Sequence, residues 1–177
     1  ENKNTSGTFD TKPLKNPMVV RHLLLFSSGV GPGYSASTDL MEYWKANSIR
    51  SKRSGDLAER VSSLAELPLF EEPGTRWRYG SSADILARIV EVASGEDYDK
   101  FLNRRIFEPL GMTKTRFRHS VVNQDELAEV YTQTEGGDLA VAPKSSDADW
   151  NQGGSGLVST AGDYMRFALM LWNKGQY

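Results

Sequence analysis

Tyr79 lies in the stretch of this sequence whose residue types are best suited to chemistry, residues 73–84. Pro73-Gly74 predicts a tight turn, because proline presets the backbone and glycine accepts a positive φ. Ser81 or Ser82 can cap the helix that follows. Tyr79 would then precede a helix N-terminus, whose positive dipole end favours a phenolate over a phenol. The tyrosine is therefore either a candidate general base or an ordinary half-buried aromatic residue at the start of a helix.

Helices are the elements that must position this tyrosine. The apolar repeat of Ile85, Leu86, Ile89 and Val90 predicts a helix from about Ser82 to Ser94, and Gly95 ends it. The same reasoning predicts further helices over residues 17–29 with Asn16 as cap, from Ser37 or Thr38 through Trp44, over 56–67, over 97–107, and from Thr160 towards Gly175.

A β-hairpin is the main strand structure that the sequence predicts. Residues 131–133 and 139–141 flank the turn-forming run 135–138, whereas residues 126–130 fit a helix or a strand equally well. The predicted fold class is therefore mainly α with a minor β-hairpin.

Composition excludes several classes of function. The chain has 177 residues, of which 38% are apolar and 25% charged, which suits one domain with a sizeable core. Its net charge of -2 gives no field that would attract nucleic acid, and the basic run 50–53 is predicted to be a solvated loop. No run of residues has the length of a transmembrane helix. The absence of cysteine suits either redox compartment, so the localisation stays open.

Metal and cofactor chemistry is not predicted. The two histidines, His22 and His119, are far apart and lack the spacing of a helical zinc site. No serine has the flanking glycines of a nucleophile elbow, and the glycine-rich runs match no nucleotide-binding loop. We therefore expect neither a metal nor a cofactor.

Four stretches, in order, resemble the motifs of the serine β-lactamase and penicillin-binding-protein-like hydrolases. That family includes class C β-lactamases, D-alanyl-D-alanine carboxypeptidases and family VIII esterases. Residues 73–84 resemble its second motif, and residues 21–29 (RHLLLFSSG) resemble its segment ending in a serine-glycine turn. Residues 106–112 (IFEPLGM) resemble a helix exit, and residues 153–163 (GGSGLVSTAGD) a glycine-rich helix entry. The resemblance implies the helical region of the β-lactamase/transpeptidase-like α/β fold.

The family's nucleophile lies in a Ser-x-x-Lys motif, and no serine of this chain has a lysine three residues later. Its third motif, a lysine or histidine strand ending in glycine, is expected beyond residue 177. The resemblance thus predicts the middle of a larger enzyme, with residues 1–16 as a polar connection and 17–177 as an incomplete helical domain. Its partner would be the missing remainder of its own fold, and the fragment alone would be inactive.

The mechanism that the resemblance implies is covalent acyl transfer. A serine attacks a carbonyl of a small ester or amide, its lysine helps to take the proton, and Tyr79 acts as general base before it protonates the leaving group. Trp150 and Tyr34, on predicted loops, either line an acyl pocket or pack as ordinary aromatic residues. The predicted substrate-binding residues are Ser81, Asp84, Trp150, Gly154 and Ser155.

Departures from the family pattern favour an ester as substrate. β-Lactamases usually have an asparagine two residues after the tyrosine, where this chain has Ser81, and esterase-like members often have an aspartate at the position of Asp84. Phe26 replaces a common histidine and Gly80 a common serine, which changes the expected pocket. Hydrolysis of a β-lactam or a D-alanyl-D-alanine peptide remains possible, and the alternative is a non-catalytic penicillin-binding-like domain.

Overall fold

The regular structure of the described residues is mainly helical, which is compatible with the predicted fold class. The computed structural model describes residues 9–31, 39–47, 56–121, 123–142 and 150–176. Its α-helices are α1 (Val20–Leu24), α2 (Asp39–Asn47), α3 (Leu57–Ala65), α4 (Ser82–Ser94), α5 (Tyr98–Leu102) and α6 (Ala161–Trp172). Its strands are β1 (Arg116–Phe117), β2 (Tyr131–Gln133), β3 (Leu139–Val141) and β4 (Leu157–Val158).

Helix α4 is the central element, since it packs against α1, α3 and α5. Its bounds are those that the apolar repeat predicts, and Gly95 ends it in the left-handed conformation with φ +73°. Two fully buried serines join it to the turn after α1, because the hydroxyls of Ser28 and Ser82 lie 2.8 Å apart. The helix that follows Tyr79 is therefore fixed to the segment that follows α1.

Helix α1 is shorter than predicted at both ends. It begins at Val20, not beside Pro17, because the Nδ1 atom of His22 accepts the Val19 amide at 3.3 Å and so makes the cap. It ends at Leu24, since Phe26 adopts a positive φ of 50° before Gly29 is reached. The side chain of His22 was not part of the predicted helix start, which explains the error.

The other helix ends follow the sequence signals more closely. Asp56 caps α3, its carboxylate accepting the Glu59 amide at 2.8 Å. Thr160 caps α6 in the same way, with its hydroxyl 3.2 Å from the Asp163 amide. The predicted start of α2 at residue 37 or 38, Tyr34 and the basic run 50–53 all lie outside the described residues.

The predicted helix over residues 97–107 changes its type midway. It is α-helical over Tyr98–Leu102 and then forms a π-helical turn over Asn103–Phe107. A π-turn inserts one residue into the helical repeat, and the apolar spacing gave no sign of it.

Two short antiparallel ladders complete the fold. β2 and β3 form the predicted hairpin, with Tyr131 opposite Val141. β1 pairs with β4, with Arg116 opposite Val158, and this ladder was not predicted because two-residue strands show no alternating pattern. It connects the region after α5 to the glycine-rich run that precedes α6.

Apolar residues form two separate clusters, one of which receives Ile85 from α4. One contains Trp44, whose indole N–H donates to the Pro68 carbonyl at 2.7 Å, with Phe9 packed at its edge. The other centres on Phe107 and Phe117 and receives Phe167 from α6. No helix within the described ranges is both long and apolar enough to cross a membrane.

Asp163 ties α6 to the body of the protein. Its side chain is 2% exposed, and its carboxylate accepts the Lys114 amide at 2.7 Å and the Thr115 hydroxyl at 2.9 Å. Arg166 donates to the other oxygen at 3.0 Å. Most of α6 remains exposed, so this carboxylate replaces part of the apolar contact that usually holds a helix in place.

We expect Asp163→Ala to destabilise the protein by about 1–3 kcal/mol, because the part-buried Lys114 amide loses its carboxylate acceptor and the buried Thr115 hydroxyl keeps only Ser159 as a partner among the described residues. Urea unfolding followed by circular dichroism measures the change. Asp97→Ala is the matched control, since the Asp97 side chain is 63% exposed. Its ion pair within the described residues is with the exposed Lys100. Equal midpoints for the two variants would contradict this assignment.

Candidate active site

Tyr79 lies in an irregular segment between α3 and α4, two residues before the N-cap Ser81. Hydrogen bonds fasten this segment to the turn after α1: the Arg78 amide donates to the Phe26 carbonyl at 2.6 Å, and the Gly74 amide to the Ser27 carbonyl at 2.7 Å. The tyrosine side chain is 37% exposed. The ring of Tyr79 is therefore stacked against Phe26 on one face and partly accessible to solvent.

Arg78, the residue that precedes Tyr79, is held in place by contacts of its own side chain. Its guanidinium donates to both carboxylate oxygens of Glu71, with Nε 2.7 Å and 2.9 Å from them, and lies 4.6 Å from the centre of the Phe70 ring. A bidentate pair of this kind fixes direction as well as distance. The side chain of Arg78 is therefore engaged with Glu71 and Phe70, which fixes the backbone just before the tyrosine.

The backbone around Gly80 is packed too closely for a side chain. A Cβ atom at Gly80 would lie 2.2 Å from the Val30 carbonyl oxygen, and one at Gly31 would lie 3.1 Å from Gly80 Cα. The serine that the family commonly has after the tyrosine would not fit this arrangement. Glycine at this position therefore lets the turn after α1 approach the tyrosine segment directly.

Asp84 joins the first turn of α4 to the glycine-rich run. Its Oδ1 atom accepts the Gly153 amide at 3.0 Å and the Gly154 amide at 3.2 Å. A Cβ at Gly153 would lie 2.1 Å from the Ala83 carbonyl oxygen, so this loop lies directly on the helix backbone. The carboxylate is occupied by the protein's own backbone, and a substrate contact for it stays a prediction.

Arg60 is a member of this cluster that the sequence reasoning missed. It is 2% exposed, its Nε lies 3.7 Å from Asp84 Oδ2, and its Nη2 donates to the Ser81 hydroxyl at 3.4 Å. The signal was present, because Arg60 falls on the apolar stripe formed by Leu57 and Leu64, where a charge needs a buried partner.

The remaining predicted residues lie along the same loop. Trp150 is half-buried in a bend, and Gly154 and Ser155 are exposed, with the Ser155 hydroxyl donating to Gln152 Oε1. Asn151 attaches the loop to α5 and to the residues after β1. Its amide nitrogen donates to Asp99 Oδ1 at 2.9 Å, and its oxygen lies 3.0 Å from His119 Nε2. The structure therefore gathers Ser81, Asp84 and Gly154 through hydrogen bonds, while the roles of Trp150 and Ser155 stay predictions.

Tyr98 is a second tyrosine whose ionisation is influenced by Asp84. Burial, and then the negative charge of Asp84, raise the pKa of Tyr98 above the ordinary tyrosine value. A phenol with a raised pKa stays neutral near pH 7. Tyr98 therefore adds no charge to the cluster and acts as a packing residue against Phe117, at 6.1 Å between ring centres.

A family model described as Beta-lactamase matches residues 9–177. The chain belongs to this family. The match agrees with the serine β-lactamase and penicillin-binding-protein-like resemblance of the four motifs, and it extends over the whole described structure.

Named relatives include both hydrolytic and synthetic proteins. Protein Rv1367c of Mycobacterium tuberculosis is 30% identical, over 96% of this chain and 43% of the relative. Lovastatin esterase of Penicillium rubens is 29% identical, over 94% of this chain and 44% of the esterase. The structure of simvastatin synthase (LovD) from Aspergillus terreus superposes with a TM-score of 0.75 and 26% identity, covering 97% of this chain and 42% of that one. The chain thus spans less than half the length of these relatives.

We expect Gly153→Ala to destabilise the protein by about 1–3 kcal/mol, because the new methyl group overlaps the backbone of α4. Gly154→Ala is the matched control, since its Cβ would find Ala83 Cβ at an ordinary 3.6 Å. Urea unfolding of both variants checks the prediction. If the two substitutions shift the midpoint equally, the loop does not lie on α4 as described.

Proposed function

We propose that this chain supplies the general-base segment of a serine hydrolase that cleaves carboxylic esters through an acyl-enzyme intermediate. The observation that carries the proposal is the placement of Tyr79, a partly exposed phenol held by a stacked ring and a hydrogen-bonded backbone just before the N-terminus of α4. Membership of the family supports it, because the matching positions carry the tyrosine motif.

The reaction has two steps, acylation of the serine and hydrolysis of the acyl-serine. In the first, the serine hydroxyl bonds to the ester carbonyl carbon, Tyr79 takes the serine proton and passes it to the alkoxide that leaves, and an acyl-serine remains. In the second, water adds to the acyl carbon, Tyr79 takes the water proton and passes it to the serine oxygen as the bond between that oxygen and the acyl carbon breaks, and the carboxylic acid and free serine result. The serine and its lysine are not in this chain, whose serines all lack a lysine three residues later.

The choice of an ester rests on the side chain two residues after the tyrosine and on the relatives. Ser81 is engaged with Arg60 and offers a hydroxyl where a β-lactamase would offer the amide of asparagine. The name of the Penicillium rubens relative describes an esterase, and that of the Aspergillus terreus relative a synthase. An acyl-serine can pass its acyl group to water or to an alcohol, so transfer to an alcohol is the second candidate activity.

The remainder of the family fold is the partner that we propose for α6. Its exposed apolar residues include Tyr164, Met165, Leu169 and Trp172, of which Trp172 is 85% exposed. Apolar surface of this extent on one helix marks a contact surface. The relatives have more than half of their length outside the region matched here, and the corresponding part of this protein would supply the surface that covers α6.

A non-catalytic penicillin-binding-like domain is the competing proposal, and replacement of the Ser-x-x-Lys motif in the complete gene product would favour it. Labelling the complete gene product with a fluorophosphonate and mapping the labelled peptide decides between them. A label on the serine of a Ser-x-x-Lys motif supports the hydrolase. A folded protein without label supports the binding domain.

We expect Tyr79→Phe in the complete gene product to lower the acylation rate about a hundredfold or more, because a general base is lost while the ring remains. Stopped-flow release of p-nitrophenol from p-nitrophenyl butyrate measures acylation. Tyr131→Phe is the control, since Tyr131 is an exposed tyrosine in the β2–β3 hairpin, and its hydroxyl donates to Glu129 at 2.8 Å. A change of less than a few-fold in a folded Tyr79→Phe variant would make Tyr79 a structural residue only.

The 177-residue chain by itself is expected to be inactive, because none of its serines lies in the nucleophile motif. The measurement is turnover of p-nitrophenyl butyrate by the purified chain against a boiled sample. Turnover above the boiled control that disappears on substitution of a serine in this chain would overturn both the expectation and the assignment of the nucleophile.

A further inference from the structure

Phe26 occupies a backbone position that normally requires glycine. Helix α1 ends in a Schellman motif, in which the Ser27 amide donates to the His22 carbonyl at 2.8 Å and the Phe26 amide to the Leu23 carbonyl at 3.1 Å. The residue at this point of the motif is left-handed, and Phe26 has a φ of +50°. Glycine adopts this conformation without strain, whereas a bulky side chain does so at a cost in free energy. The chain therefore retains an aromatic ring here against the local preference.

The ring of Phe26 lies flat against the ring of Tyr79. The two ring centres are 5.3 Å apart and the planes differ by 6°, which is offset stacking. The Phe26 carbonyl also accepts the amide of Arg78, the residue before the tyrosine, at 2.6 Å. Phe26 thus contacts the backbone before the tyrosine and one face of its ring at the same time, and it does so in the left-handed conformation.

We propose that Phe26 is a positioning residue that fixes the direction of the Tyr79 hydroxyl, an inference that rests on the proposed function. A tyrosine side chain turns about two bonds, and a ring stacked on one face restricts both rotations. A general base must lie within hydrogen-bond distance of the proton that it takes, and small displacements of such a group reduce rates strongly. The strain of the left-handed phenylalanine is thereby explained, since glycine would relieve it and leave this face of the tyrosine without its ring.

The test uses three variants of the complete gene product and the hydrolysis of p-nitrophenyl butyrate. Phe26→Gly suits the left-handed backbone and removes the ring, so we expect an unchanged or higher unfolding midpoint, a kcat lower by about 10- to 100-fold and a KM within about threefold. Phe26→Asn, which also tolerates the left-handed region, gives the same test if the glycine variant does not fold. Phe26→Tyr keeps the stacked ring and should retain kcat within a few-fold.

Lys174→Gly is the matched control for the change in backbone strain. Lys174 is the other non-glycine residue with a positive φ among the described residues, at 59°, and it follows α6. Its replacement relieves strain of the same kind without touching the aromatic stack. We expect kcat and KM to stay unchanged, and a fall in kcat equal to that of Phe26→Gly would overturn the proposal.

A double-mutant cycle with Tyr79→Phe separates positioning from a general structural effect. If Phe26 acts through the tyrosine hydroxyl, Phe26→Gly lowers kcat in the wild-type background and has little further effect on kcat in the Tyr79→Phe background. The reason is that the effects of substitutions at contacting residues do not simply add. Additive losses of kcat would overturn the positioning role of Phe26 but leave the proposed function standing. A normal kcat for Phe26→Gly while Tyr79→Phe is inactive would do the same. A normal kcat for Tyr79→Phe would instead overturn the proposed function.

Discussion

The carboxylate of Asp84 is the group on which the arrangement of this site depends. It accepts two backbone amides from residues 69 and 70 positions further along the chain, and it lies beside the buried guanidinium of Arg60. It also occupies the first turn of α4, where the helix dipole favours a negative charge. Charge-assisted hydrogen bonds of this kind are among the stronger ones in proteins. One side chain therefore sets where the glycine-rich loop lies relative to the helix that follows Tyr79.

Close backbone packing is the second constraint, and it depends on glycine at two points. Gly153 lies directly on the carbonyl of Ala83, and Gly80 lies directly on the carbonyl of Val30. A methyl group at either position would displace a rigid backbone and not a flexible side chain. The three segments around the tyrosine are the turn after α1, the start of α4 and the glycine-rich loop, and their close approach requires that these two residues have no side chain.

The positions that depart from the usual residues of the family lie around Tyr79. Phe26 stacks on its ring and Gly80 follows it directly in the chain. Local preferences in natural proteins are most often violated where function requires it, and the left-handed Phe26 is such a violation. Ser81, which stands where β-lactamases usually have asparagine, is held by Arg60 from α3. All three departures therefore lie on or against the tyrosine segment, whereas Asp84 connects that segment's helix to the glycine-rich loop.

The sequence by itself determined the local features of this protein. The apolar repeat and Gly95 gave both ends of α4, Asp56 and Thr160 marked the starts of α3 and α6, and the four motifs identified the family, because each depends on neighbours within a few residues. Only the tertiary structure decided which distant groups meet. The stack of Phe26 on Tyr79, the partnership of Arg60 with Asp84, and the β1–β4 ladder all join residues that are far apart in the chain. The periodic pattern of α3 marks Arg60 as buried, but no such pattern identifies the distant partner of a residue, since partners are set by how whole helices pack against each other.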